Sequence, residues 1–505
     1  MREIRFVDTT LRDGQQSLWA MQMRTDMMLP VLDDLDAAGF DAVEFFIPSS
    51  QFVRAVRSLK EDPWNWLRLG PPRMRRTQLR LHGGGSSSFA NVPMCIQDLL
   101  LERLAHYGIT ATRMSNPWND YSDAAEQITR LKGYGIESVV NVVYSVSPRH
   151  TTEYYVDRTK QATKVGASRV CFKDVGGLLT PEAAVRLLPL IVEQAGDVPV
   201  EFHAHCNNGF APYNVLLAAE AGIEIIHTAI PPLANGASQP SVFQVASNLR
   251  ARGFQPVVDT APLERVRRHL ERIADRDDLP RGIQAEYDEG IYNYQVPGGM
   301  ISNFRFHLRQ AGLEDRLSET LQEIAQVRAD LGYPIMVTPL SQFVGTQAVM
   351  NVITGTRYGM VTDEVIGYAL GHWGREAIEV MDPSVREMVL NRPRAREIER
   401  ERMQPVEEPT LAEVRQQYGL GMPDEELILR VFAAAGSGDL GLSQARPLTT
   451  NYSEYWQASS GIVNMLKHFA GQKELKELRY SDHHGSFVAS REVAVGAIAN
   501  RGQPQ

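Results

Sequence analysis

The feature that most constrains this chain is a repeated alternation of two periodicities. Short β-prone runs alternate with amphipathic stretches at intervals of roughly thirty residues, the signature of βα units. The runs are Ile4–Asp8, Ala42–Phe46, Gln78–His82, Ile109–Met114, Ser138–Ser145, Ser168–Lys173, Pro199–His203 and Glu224–Ile230. Helical patterns lie between them at Met27–Ala38, Ile96–Tyr107, Ala124–Tyr134, Thr151–Val165, Pro181–Gln194 and Ala211–Ala221. Gly39, Gly108, Gly135, Gly166 and Gly222 fall just past helix ends, where a left-handed residue closes a helix. Such a succession predicts an α/β fold, a (β/α)8 TIM barrel over about residues 1–255. A doubly wound sheet is the alternative, and no GxGxxG follows any strand to support it.

Beyond the barrel, Ala261–Ala274, Glu314–Leu331, Ser341–Thr354 and Thr362–Gly371 read as helices, with a tight turn at Val296–Asn303. The division expected is 1–305 for the barrel domain, 306–440 for a mostly helical domain and 441–505 for a small accessory module or tail. The charge-dense run Arg392–Pro405 is a helix or a linker with a solvated face. Leu411–Gly419 and Asp424–Ala435 read as helices, Gly436–Asp439 as a flexible joint, and Ser460–Phe469 as a last helix. His483–His484 is either a metal pair or, far more commonly, an exposed turn.

Composition removes several function classes. With 52 Lys and Arg against 61 Asp and Glu, the net charge of −9 disfavours non-specific nucleic-acid binding. No apolar run approaches the ~20 residues of a membrane helix, and Met1-Arg2-Glu3 leads directly into a strand without a secretory signal. Three cysteines without a CxxC, Cys95, Cys171 and Cys206, suit a reducing compartment, and a cytoplasmic location is expected.

A barrel's chemistry gathers at the C-terminal ends of its strands. Strand one ends in Arg12-Asp13, strand four in Arg113, strand six in Lys173-Asp174 and strand seven in His203-Ala204-His205. His-x-His places both imidazoles on one face of a strand, and with Asp13 they form a possible site for zinc, manganese or cobalt. Asn207, two residues further on, is expected at the margin of that site. Lys173, closing an apolar run, either snorkels, meets Asp174, or sits partly desolvated. In the last case its amine has a lowered pKa and can react with carbon dioxide to give a carbamate, a further metal ligand. Arg12 reads as an anion clamp and Gln16 as a hydrogen-bonding partner.

The motifs DTTLRDGQQSL (8–18), EDPWNWLR (61–68), FKDVGGLLTP (172–181), FHAHCNNG (202–209), GASQPS (236–241), PGGMISN (297–303) and VTPLSQFVGTQAV (337–349) carry a resemblance. Over about residues 4–400 the chain resembles the carboxyltransferase component of biotin-dependent enzymes, the family of pyruvate carboxylase, the oxaloacetate decarboxylase alpha subunit and transcarboxylase. Related barrel lyases and Claisen synthases share the Asp-Arg start and the His-x-His pair, so a biotin-independent metal-dependent aldolase or lyase is the alternative. The resemblance implies that Asp13, carbamylated Lys173, His203 and His205 hold a divalent metal, and that Arg12, Gln16 and Arg113 bind a small keto acid such as pyruvate or oxaloacetate. It implies that Thr338 shuttles a proton between the acceptor's methyl carbon and the biotin ureido nitrogen. It also implies a homodimer working with a biotin carboxylase subunit and a biotin carboxyl carrier protein. Biotin is expected on that separate carrier, because no Ala-Met-Lys-Met-like tetrapeptide occurs here.

Two stretches depart from the family. Phe45–Ser50 replaces a Trp-Gly-Gly-Ala-Thr-like segment, and Leu81–Ser88 replaces a Leu-Leu-Arg-Gly-like one. Both are expected to line the pocket, so the acceptor can differ from pyruvate. Residues 462–480 weakly resemble the segment preceding the biotinyl domain of carrier proteins, and either dock a carrier or pack as an appendage.

Overall fold

The computed structural model describes residues 1–83, 92–296, 308–309, 312–403, 408–434, 477–482 and 485–490. Strands β1 (Glu3–Asp8), β2 (Ala42–Phe46), β3 (Gln78–His82), β4 (Ala111–Met114), β5 (Glu137–Val143), β6 (Arg169–Asp174), β7 (Val200–Ala204) and β8 (Ile225–Thr228) pair in parallel with their sequence neighbours, and β1 closes on both β2 and β8. That closure makes the expected TIM barrel. A further short strand, β9 (Gln255–Val257), pairs with the first half of β1.

The helices follow the apolar periodicity, with one correction. The helix expected over Met27–Ala38 is interrupted: Thr25–Met28 and Leu32–Ala37 are helical, and Leu29–Val31 between them forms a tighter 3-10 turn. Pro30 is the reason, since it has no N–H to donate to the preceding turn.

Residues in register on neighbouring strands of a parallel barrel share a face. Phe172 and Phe202 are one such pair and stack at 6.5 Å on the outer face. Lys173 and His203, the next pair along, therefore share the inner face. The same alternation turns Glu44, Arg80, Arg113, Glu201 and His227 inward, all wholly buried. Barrel interiors are ordinarily filled by branched apolar side chains. This one is lined by charge.

After the barrel, helices Leu317–Asp330, Leu340–Thr354, Asp363–Ala369 and Pro383–Leu390 enclose a core of Ile324, Val327, Val344, Val365, Tyr368 and Val389. Trp118, from the loop after β4, is buried in that core. Pro393–Met403 is helical. The helix Asp424–Ala434 returns to the barrel, where Trp64 donates to the Glu425 carbonyl (3.1 Å), Tyr107 to the Glu425 carboxylate (2.7 Å), and Phe432 meets Phe52 edge-on.

The chain divides into two compact units, Met1–Pro447 and Leu448–Gln505. In the second, Glu477–Asp482 and Gly485–Ser490 form an antiparallel hairpin. The joint at 436–439, the helix at 460–469, the histidines 483–484 and the PGGMISN turn lie outside the described residues. Among the described residues no helix is long and apolar enough to cross a membrane.

Candidate metal and acceptor site

The stretch after β1 is shaped by its own polar groups. Asp8 accepts from the Thr10 amide (3.1 Å) and hydroxyl (2.6 Å), and Thr10–Gly14 winds into one π-helical turn. Gly14 is required there because a Cβ would come within 2.9 Å of the Leu233 carbonyl oxygen. The turn aims Arg12 and Asp13 into the barrel mouth, both nearly inaccessible to solvent.

At the mouth Asp13 Oδ2 lies 3.3 Å from His203 Nε2 and 3.5 Å from His205 Nε2. Ser17 donates to Asp13 Oδ1 (3.0 Å). His205 Nδ1 lies 2.6 Å from the Ala237 carbonyl, which can only accept, so Nδ1 carries a proton and a metal would be met by Nε2. Nε2 is buried without a hydrogen-bond partner. The Gln239 amide nitrogen lies 3.2 Å from His203 Nε2. Against the cost of burial, Arg12, whose Nη2 donates to Asp13 Oδ2 (2.8 Å), holds the Asp13 carboxyl well below the usual carboxylate range. An ionised carboxylate oxygen and two imidazole nitrogens converging inside a protein are a cation site in donor type and spacing, and the three ligand atoms fit a divalent ion.

Lys173 stands beside His203, buried, with no ion pair or hydrogen bond among the described residues. Burial, then the neighbouring Arg113, lowers its pKa to about 7. The Asp174 contact considered from the sequence is absent: Asp174 accepts from the Leu178 and Leu179 amides (2.9 Å each) and pins the loop that follows β6. Asn207 donates to the Val175 carbonyl (3.0 Å) of that same loop.

Arg12 and Arg113 come together as expected, around a residue that the sequence motifs do not single out. Glu44, wholly buried on β2, takes Arg12 Nε (2.8 Å) and Arg113 Nη2 (3.0 Å), with closer contacts to both guanidiniums as well. The two arginines hold its carboxyl far below the normal range despite burial. Gln16 is exposed at the rim and accepts from Arg12 Nη1 (3.3 Å). His82 closes β3 in register with Arg113. Burial, then Arg12, Lys173 and Arg113, keep its imidazole neutral, and its Nδ1 is buried without a partner. Of the departing stretch 45–50, Phe45 and Phe46 are buried, and Pro48–Arg54 forms a helix whose Phe52 packs on Trp64 at 4.9 Å. Residues 84–88 lie outside the described residues.

Thr338 is exposed in the turn before the helix Leu340–Thr354, and no described contact joins it to Asp13, Lys173 or the histidines. Glu44, Glu201 and His227 were all readable as ionisable residues among the apolar ones of their strands, a pattern that burial makes costly unless partners are supplied.

These features define a class, a TIM barrel with a carboxylate, two histidines and a desolvated lysine at its mouth and a helical extension behind it. Two family models match, an HMGL-like domain over residues 104–270 and a conserved carboxylase domain over residues 291–433. The chain is 36% identical over 391 residues to a pyruvate carboxylase subunit of Methanocaldococcus jannaschii, covering 77% of this chain and 68% of that protein. It is 32% identical to the methylmalonyl-CoA carboxyltransferase 5S subunit of Propionibacterium freudenreichii, covering 76% of each. The carboxyl transferase domain of Rhizobium etli pyruvate carboxylase has the same fold, with a TM-score of 0.75 at 22% identity over 97% of this chain and 84% of that one. The chain belongs to the carboxyltransferase family of biotin-dependent enzymes, the family of pyruvate carboxylase.

Proposed function

We propose that this chain moves a carboxyl group between carboxybiotin, carried on a separate protein, and a small 2-oxo acid. The observation that carries the reading is the convergence of Asp13, His203 and His205 beside the buried Lys173 amine, which has no ion pair or hydrogen bond among the described residues. Asp13, His203 and His205 would hold a divalent metal, which when bound supplies positive charge next to the oxygen where the acceptor's enolate charge develops. With a pKa near 7, Lys173 is substantially unprotonated at neutral pH. Its amine adds carbon dioxide to form a carbamate and releases one proton, which gives a further oxygen ligand.

The two guanidiniums are balanced by the Glu44 and Asp13 carboxylates, so a divalent cation held at Asp13 would leave the mouth positive, which suits one carboxylate of the acceptor. Arg12 and Arg113 orient that carboxylate, and Gln16 at the rim completes the contact. Thr338 takes the proton from the acceptor's methyl carbon and delivers it to the ureido nitrogen of biotin, in a pocket whose buried walls exclude water. Relatives named as one subunit of pyruvate carboxylase support work in a complex with a biotin carboxylase subunit and a carrier, and we extend this to a homodimer.

The test is direct. The purified chain is mixed with carboxylated biotin carrier and a panel of 2-oxo acids, and the acceptor that gains carboxyl is identified by mass. Cleavage of a carbon-carbon bond without any carrier would instead establish the aldolase or lyase reading.

A further inference from the structure

Behind His203 lies a short hydrogen-bonded series that the reaction described above does not use. His203 Nδ1 lies 3.0 Å from His227 Nδ1, and His227 Nε2 lies 2.9 Å from Glu201 Oε2. All three residues are wholly buried. Glu201 is ionised, because Arg80 Nη1 donates to both of its oxygens (2.8 and 3.0 Å) and Arg169 adds a third contact (3.2 Å). An ionised carboxylate only accepts, so the proton between it and His227 is on His227 Nε2. The Gln239 amide nitrogen, 3.2 Å from His203 Nε2, can only donate, since its Oε1 accepts from Thr9, so the proton of the His203 ring is on Nδ1. His227 Nδ1 is therefore an acceptor, and the proton between the two rings is on His203 Nδ1. What remains to His203 is a lone pair on Nε2, the atom that faces Asp13.

Resting on the reading that Asp13, His203 and His205 hold a divalent cation, we propose that Glu201 and His227 are positioning residues that fix the tautomer of His203 and aim its Nε2 lone pair at that cation. His205 receives the same service from a backbone carbonyl, that of Ala237, which no side-chain substitution removes. The two ligands are thus held by different means, and only one is open to mutation.

The full chain, stripped with a chelator, is titrated with Co2+ alone and binding is followed by the visible absorption of the bound ion. His227→Leu removes the acceptor and is expected to weaken binding about 10- to 100-fold, the range for a lost outer partner of a metal-bound histidine. His227→Asn, whose Oδ1 can accept from His203 Nδ1–H, is expected to recover most of that loss. Nitrogen-15 spectra of the metal-free imidazoles report the tautomer independently: wild type and His227→Asn show His203 protonated at Nδ1, and His227→Leu shows a mixture. Wild-type affinity in His227→Leu overturns the proposal, as does equal weakening in both variants with the His203 tautomer unchanged. Failure of the wild-type chain to bind stoichiometric Co2+ overturns the metal reading itself, and this proposal with it.

Discussion

The barrel holds two buried polar regions of opposite character. At its floor, Arg80 joins Glu201 and Asp41, Arg169 joins the same two acids, and Arg5 caps Asp41, so each charge meets opposite charges. At its mouth, His203 and His205 turn ring nitrogens to Asp13 Oδ2, which Arg12 pairs at 2.8 Å, while the Lys173 amine has no ion pair or hydrogen bond among the described residues. Both regions bear the cost of removing charge from water, but at the mouth the pairing is incomplete, because His205 Nε2 has no hydrogen-bond partner among the described residues. A saturated network is structure, whereas an unsaturated one is poised for something the chain does not itself contain.

Breaking the floor gives the largest effect. Arg80→Ala leaves Glu201 and Asp41 buried with fewer partners and is expected to cost about 3–5 kcal/mol of stability, read from chemical denaturation. A loss under about 1 kcal/mol, the scale of an exposed pair, would erase the distinction between the two regions. Removing a group from the mouth does the converse. His205→Ala is expected to lower carboxyl transfer about 10²- to 10³-fold while leaving the melting temperature of the metal-free chain unchanged or raised; a large fall in that temperature would make the mouth structural too.

Lys173 sharpens the comparison through pH. Its folded pKa of about 7 lies below the ordinary 10.5, so between these values the unfolded chain holds the proton more firmly. The cost of burying the charged amine is fully present below about pH 7 and fades as pH rises toward 10.5, so wild-type stability gains up to ~1.4 kcal/mol per pH unit from this group. In metal-free buffer without carbon dioxide, Lys173→Met should therefore be the more stable protein at about pH 7, with the gap closing toward about pH 10. A gap that does not change with pH would mean that the amine is not desolvated. The smallest effect is at Ser17, whose hydroxyl steadies Asp13 Oδ1. Ser17→Ala should weaken metal binding by about 1 kcal/mol, several-fold in a Co2+ titration, with stability nearly unchanged.

Much of the site was legible because its signals are local. His203-x-His205 announces a shared strand face, and Arg12-Asp13 and Lys173 each follow an apolar run that ends at the barrel mouth. The residues missed share one disguise. Glu44 sits inside Ala42–Phe46 and His227 inside Ile225–Thr228, each a single ionisable residue in an apolar strand. Their meaning depends on partners far along the chain, since Glu44 pairs with Arg113 and His227 pairs with Glu201. The helix expected over 27–38 failed for the opposite reason, a purely local one, because Pro30 interrupts it.

The sequence by itself determined the succession of strands and helices, since side-chain periodicity and glycine punctuation act over a few residues. It also determined which strand ends carry reactive groups. Only the tertiary structure decided what those groups are to one another. Glu44 bridges the arginine pair, Glu201 and His227 stand behind His203, and the Lys173 amine has no acid within ion-pair distance among the described residues. Burial and distance set hydrogen-bond direction, tautomer and pKa, and both arise only when remote strands close into one barrel.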